Sequence, residues 1–264
     1  MMDTTNVNAI LDAVIRAERE AAELIMHAHG ILAEAKTGHR DVVTEYDKRV
    51  QTLLMERLSA AVPGARFFCE ENNVHGDLGA EHVFVIDPID GTMNFVRRMH
   101  HSCISVAYMS RGVLKVAAVY NPYMDELFTA VRGAGAFLNS RPIHAETAPL
   151  SETIFCFGTS PYYADLTDET FRLARIAYDA TLDLRRFASA ELDLCSVAAG
   201  RAGLYFELSL SLWDYAAGSL IVTEAGGVCT DITGAPLPLD GRKSSVAAGG
   251  AQAHADFMAL IKER

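Results

Sequence analysis

The sequence predicts an α+β and α/β protein built from two closely packed subdomains, residues 1–145 and 146–264. Residues 102–142 read as short apolar strands punctuated by Gly, Asn and Pro turns, the pattern of an antiparallel meander. From about residue 150 strands and helices alternate, the rhythm of an α/β layer arrangement. No flexible linker, repeat or low-complexity stretch divides the two, so the halves are expected to share a packed interface.

Taken in order, an amphipathic helix is expected over 7–30. Ile10, Val14, Ala17, Ala21, Leu24 and Ala28 recur at three- and four-residue spacing, and Gly30 is placed to cap it. A polar stretch, 36–40, follows. In Asp41-Val42-Val43-Thr44-Glu45-Tyr46-Asp47, Thr44 and Asp47 have the spacing of a capping box, with Asp in place of the usual Glu or Gln. Capping alone accounts for both residues. Val50, Leu53, Leu54, Leu58 and Ala61 form the stripe of a second helix, closed by Pro63-Gly64.

Residues 65–69 read as a short strand, followed by Glu70-Glu71 and a polar loop over 72–79. The run Val83-Phe84-Val85-Ile86 reads as a buried strand that delivers Asp87-Pro88-Ile89-Asp90-Gly91-Thr92 to a loop. Pro88 fixes its own φ and pushes Asp87 toward an extended backbone. Two carboxylates on a stiffened turn can enter one small volume, where they repel unless a hard divalent cation takes their oxygens. Gly91 permits close backbone approach, and a helical turn beginning near Thr92 would face an anion. An ordinary Asp-Pro and Asp-Gly surface turn has the same appearance.

A helical turn or edge segment is expected over 92–100, then a hairpin of 102–109 and 113–120 around Ser110-Arg111-Gly112. A third strand follows at 127–131. Gly133-Ala134-Gly135 and Asn139-Ser140-Arg141-Pro142 bracket a fourth. In the second half, strands are expected at 153–158, 184–187, 204–208, 228–232 and 245–248. Helices are expected over 168–181, from an N-cap at Ser189 to Gly200, from Trp213-Asp214 to Gly226-Gly227, and at the end of the chain.

Half of the 264 residues are hydrophobic, enough for a large core, and the formal net charge of −11 comes without a basic run. Direct binding to nucleic acid is therefore not expected. The five cysteines, Cys69, Cys103, Cys156, Cys195 and Cys229, contain no CxxC pair. That pattern fits neither a zinc site nor a disulfide framework and favours a reducing compartment. A polar start unlike a signal peptide, with no apolar run of membrane-spanning length, completes the expectation of a soluble cytoplasmic protein without a membrane partner.

Acids at strand ends are the usual way an α/β protein assembles a metal site. The candidates are Glu70, Asp87, Asp90 and Asp214. Asp214 in a first helical turn also fits a capping role, and Trp213 fits a core position. With four motifs in order, the sequence resembles the inositol monophosphatase family of metal-dependent, lithium-sensitive phosphomonoesterases. The motifs are Asp41-Val42-Val43-Thr44 with Asp47, Glu70-Glu71, Asp87 to Thr92 with Asn94-Phe95, and Trp213-Asp214 with Ala217-Gly218.

The resemblance implies a layered αβαβα sandwich and hydrolysis of inositol 1-phosphate or a similar small polyol or sugar phosphate. It implies two or three Mg²⁺ ions held by Glu70, Asp87, Asp90 and the carbonyl of Ile89, with Asp214 completing a second ion's site. Glu70 and Thr92, the latter linked to Asp47, would position and activate the attacking water. Asp90, Gly91 and Thr92 would hold the phosphate end of the substrate. Ala188, Ser189 and Ala190 match the family's substrate loop, and Glu207 matches an acid that bonds a polyol hydroxyl; alternatively Glu207 is a strand-end charge in water. A homodimer is implied as well. Fructose 1,6-bisphosphate, 3′-phosphoadenosine 5′-phosphate and histidinol phosphate are substrates of relatives, and some bacterial members act in transcription complexes. Cys69, Met93 and Ala188 depart from the family's usual Gly, Thr and Gly.

Overall fold

A computed structural model of the protein describes residues 4–38, 41–72 and 74–263. His39 and Arg40 of the expected polar stretch, Asn73 of the expected polar loop and the first three residues lie outside the described residues, as does the side chain of Asp41.

The polypeptide forms five layers, αβαβα. The first is a pair of helices, α1 (Thr4–Met26) and α2 (Glu45–Ala61). Ile10, Val14, Ala17 and Ala21 of α1 and Val50, Leu54 and Leu58 of α2 lie on the expected stripes. They pack on one face of a seven-stranded sheet: β3 (Arg66–Cys69), β4 (Val83–Asp90), β5 (Cys103–Ser110), β6 (Val113–Asn121), β7 (Glu126–Val131), β8 (Gly135–Leu138) and β9 (Arg141–Ile143). Its strands lie in sequence order, β3 parallel to β4 and the rest antiparallel.

The middle layer is α5 (Ala190–Ala198) and α6 (Ala216–Glu224), whose apolar residues join one core with the inner faces of both sheets. The second sheet, ordered β11-β10-β12-β14-β13, comprises β10 (Ile154–Phe157), β11 (Asp183–Arg185), β12 (Leu204–Leu210), β13 (Val228–Thr230) and β14 (Ser244–Gly249). Its alternation is clean: Cys156, Tyr205 and Val246 face inward, whereas Phe155, Phe206 and Ala247 face the outer helices α4 (Thr167–Ala180) and α7 (Ala251–Glu263).

The structure corrects several local expectations. Helix α1 ends at Met26, so Gly30, although its φ is +60°, does not cap it. Residues Ala33–Gly38 (β1) and Asp41–Thr44 (β2) form a small antiparallel hairpin where the sequence suggests only a polar stretch. Arg141–Ile143 is a strand, and the turn before it is Asn139-Ser140 alone, both at positive φ. The same two-residue geometry, at Arg111 and Gly112, closes the β5–β6 hairpin. The helical segment after Gly91 is only α3, Thr92–Val96.

One group opposes the core it sits in. Glu18 on α1 is fully buried, and neither carboxyl oxygen has a hydrogen-bond partner. Burial pushes its pKa well above the ordinary value, with the nearby charge of Glu191 adding to the effect. Below the ordinary carboxyl range Glu18 is neutral whether the chain is folded or not. As pH rises through that range the unfolded chain ionises freely and the folded one resists, so stability is lost with rising pH. Glu18→Met is expected to stabilise the fold by about 1–3 kcal/mol. The gain in melting temperature should be larger at pH 8 than at pH 5; an equal gain at both would mean that Glu18 ionises normally in the folded state.

Candidate active site

The acidic cluster begins with a strand irregularity. Side chains three residues apart on a regular strand point to opposite faces. Asp87 pairs with Ser105 and Asp90 with Cys103, so three steps on β4 match two on β5. The extra residue is a β-bulge at Pro88-Ile89, where Pro cannot donate to the ladder in any case. Ser105 and Cys103 share a face, so Asp87 and Asp90 share it too. The Asp-Pro-Ile-Asp segment is therefore the kinked end of a strand and not the loop expected from sequence.

Glu70 directly follows β3, and its N–H donates to Ile86 O (3.2 Å) beside Asp87. Asp214 ends a 3₁₀ turn, Leu212–Asp214, and closes a capping box in which Ser211 N–H donates to its Oδ2 (2.7 Å). The capping role is real and coexists with the cluster. Burial is the main cause that raises the Asp87 pKa far above the carboxylate range, followed by the charges of Glu70, Asp90 and Asp214. Asp214 is raised by burial and then by Glu70. Asp90 is pushed up to about 6 by burial, against the opposing pull of its hydrogen bonds.

Each acid is already answered by donors. Asp90 Oδ2 accepts from Ser189 Oγ (2.6 Å) and Glu191 N (2.8 Å), and Oδ1 from Ala190 N (3.3 Å). Ser189 occupies the N-cap position of α5 as expected, but its side chain does not cap the helix; Asp90, from the other sheet, does. Asp87 Oδ1 accepts from Ile89 N (3.0 Å). Lys36, on the hairpin the sequence does not reveal, donates to Glu70 (2.8 Å) and Glu71 (2.5 Å). Burial works to lower the Lys36 pKa, and the two glutamates outweigh it, so the ammonium stays charged.

With these donors engaged, no three His, Cys, Asp or Glu side chains among the described residues close into a ready metal cage. The donor chemistry nevertheless fits a hard cation: Asp87 and Asp90 are buried, Glu70 and Asp214 act on Asp87 electrostatically, and burial makes Asp87, Asp90 and Asp214 hard to ionise.

Thr44 and Asp47 form the expected capping box on α2. The free Asp47 Oδ1 lies 3.2 Å from Thr92 Oγ1, which is also 3.2 Å from Ile89 O, so the hydroxyl donates to one of the two. Burial first, then Glu70, lifts Asp47 to about 6 against the Thr44 bonds. Gly91 has φ +85°, and a Cβ there would lie 3.1 Å from both Ala188 O and His101 O. Only glycine meets both demands.

The neighbouring loop is tied on by Asn94, a motif residue to which the sequence assigns no role. Its side-chain amide donates to His101 O (2.7 Å) and Phe187 O (2.6 Å). Glu207 is not a strand-end charge in water: it lies within β12, buried. Its Oε1 accepts from Ser160 N (2.7 Å) and Ser160 Oγ (3.2 Å), and its Oε2 from Tyr205 OH (2.9 Å). Trp213 stacks with Phe68 and His75, linking the strand before Glu70 to the turn that carries Asp214. Cys69 is fully buried and its thiol is pushed up to about 12, leaving it inert beside Glu70. Lys36, Ser160 and Glu191 carry no local signal; only the fold brings them here.

Comparison with known proteins gives the family and the fold. Residues 6–264 match the family model described as the inositol monophosphatase family. The Nus factor SuhB of Escherichia coli K12 is 36% identical over 233 residues, covering 86% of this chain and 87% of that protein. The crystal structure of extragenic suppressor protein SuhB from Bartonella henselae superposes with a TM-score of 0.90 at 30% identity, covering 97% of this chain and 99% of that one. The IMPase of Thermotoga maritima gives a TM-score of 0.86 at 31% identity, covering 96% of each chain.

Ala188 stands at φ +64°, a left-handed conformation that its methyl group resists. Ala188→Gly is expected to raise stability by about 0.5–1 kcal/mol, relief of strain exceeding the freedom glycine gains in the unfolded chain. A lower urea midpoint would instead mean that the methyl packs favourably.

Proposed function

The chain belongs to the inositol monophosphatase family, and from that premise we propose that it is a Mg²⁺-dependent phosphomonoesterase. Its substrate class is a small polyol or sugar phosphate, inositol 1-phosphate first. The observation that carries the proposal is the bulged end of β4, which turns Asp87 and Asp90 to one face beside Glu70 and Asp214.

In this reading Glu70, Asp87, Asp90, the Ile89 carbonyl and Asp214 hold the cations. The chemistry Mg²⁺ supplies when bound is Lewis acidity toward water and phosphoryl oxygens. The remaining work falls to the chain. Thr92, with Asp47 and the Ile89 carbonyl as its acceptors, orients the attacking water. Glu70 takes up its proton, which requires Lys36 to release Oε1. Gly91 and Thr92 bring backbone N–H groups to the phosphate, from a turn that the +85° φ of Gly91 sets. Ala188, Ser189 and Ala190 flank the alcohol part, and Glu207 offers a fixed acceptor for a hydroxyl. Phosphoryl transfer needs mainly positioning and charge stabilisation, and this set can provide both.

Among the described residues no helix is long and apolar enough to cross a membrane. A second reading is favoured by the relatives named Nus factor SuhB: the protein would work in a transcription complex, through its surface.

Phosphate release should be measured on inositol 1-phosphate, fructose 1,6-bisphosphate, 3′-phosphoadenosine 5′-phosphate and histidinol phosphate, with Mg²⁺ and with EDTA. Activity on inositol 1-phosphate that EDTA abolishes is the expected outcome. Asp87→Asn, Asp90→Asn and Asp214→Asn should each lower Mg²⁺-dependent turnover roughly a hundredfold or more while the fold persists by circular dichroism. A near-normal rate in any one would remove that residue from the site. An Asp90→Asn protein that still rescued a deletion strain would favour the transcription reading.

A further inference from the structure

Helix α6 begins two residues after Asp214, and its own N-cap, Tyr215, has no side chain able to cap it. One free N–H group of its first turn, that of Gly218, is satisfied from another helix. Glu191, in the first turn of α5 and fully buried, sends its side chain across the middle layer. Its Oε2 accepts from Gly218 N (2.6 Å), while its Oε1 is buried without a hydrogen-bond partner. Gly218 is glycine for a steric reason: a Cβ there would stand 2.6 Å from Glu191 Oε2. The backbone of Glu191 works in the opposite direction, its N–H donating to Asp90 Oδ2 (2.8 Å). Asp90 thus caps α5, Glu191 of α5 caps α6, and α6 follows directly from Asp214.

We propose that Glu191 is a positioning residue that fixes the separation of Asp90 and Asp214, and hence the affinity of the site for a divalent cation. This rests on the reading of those two acids as metal ligands. The role requires an acceptor oxygen at the α6 N-terminus and not a charge, so Gln can replace Glu and Ala cannot. Lost capping would let the α6 end, and Asp214 with it, shift relative to Asp90. The ligands themselves would be untouched.

The test is metal binding. Mg²⁺ and Mn²⁺ would be titrated calorimetrically and by the fluorescence of Trp213, the single tryptophan and the neighbour of Asp214. Wild type, Glu191→Ala, Glu191→Gln and Gly218→Ala would be compared, each with a metal-free melting curve. Glu191→Ala is expected to weaken binding about tenfold or more, and Glu191→Gln by no more than about threefold. Gly218→Ala crowds the Glu191 carboxyl and the Leu194 side chain alike and should also weaken binding, while Glu191→Gln, which keeps the acceptor oxygen and the packing, separates positioning from loss of fold. Variants that melt lower yet bind metal as wild type does would overturn the proposal while leaving the metal site intact. Wild type that binds neither cation would take down both readings.

Discussion

The structure is governed by repulsion among carboxylates that the fold gathers where its layers meet. Glu70, Asp87 and Asp90 come from the edge-ward strands of the larger sheet, and Asp214 from the approach to α6. In water such charges would be screened; here the charge of Glu70 adds to burial in raising the pKa of Asp87 and of Asp214. The surroundings are arranged to offset this. An α5 N-terminus and a serine serve Asp90, a backbone N–H serves Asp87, another serves Asp214, and a lysine serves Glu70. The middle-layer helices therefore do two things at once: their apolar sides glue the sheets, and their N-terminal ends supply positive potential where the acids converge.

Much of this is legible in the sequence because it depends on local chemistry. The stripes of α1 and α2, the Thr44–Asp47 box and the hairpin around Ser110-Arg111-Gly112, whose turn narrows to Arg111-Gly112 in the structure, each need only neighbours in the chain. The site's acids are legible for the same reason, as polar residues interrupting apolar runs. What is not legible is whatever depends on pairing. The bulge that turns Asp87 and Asp90 to one face is defined by the register against β5, and a Pro in sequence reads more simply as a turn. Lys36 lies 34 residues from Glu70, on a hairpin whose polar composition gives no strand signal. The Ser189 hydroxyl is misread as a helix cap because the sequence cannot show an aspartate 99 residues away taking that place.

The region around Glu207 and Ala188, the proposed substrate end, follows a similar logic. Glu207 looks like a surface charge by residue type, yet three donors hold it in the sheet interior, on hydroxyls and a backbone N–H of Ser160 and Tyr205. Gly158 lies flat against it because any Cβ would collide with the carboxyl. An acceptor locked this way discriminates by geometry, since a hydroxyl out of place cannot draw it closer. The Ala188 backbone, left-handed and pinned by Asn94, fixes the opposite wall.

The cost of this arrangement bears on which reading to prefer. Buried acids that raise one another's pKa lower stability at neutral pH, and exchanging one for a neutral residue of similar shape would relieve the strain. A chain retained only for its outer surface has no use for that burden. Glu191 sharpens the point: a further carboxyl is buried, with one oxygen left unpartnered, to hold two helix ends in register. Stability given up at several linked positions, all facing one small volume, is what a site built to receive a cation requires. On the proposed reading, a transcription role would be an addition to phosphatase activity and not a replacement for it.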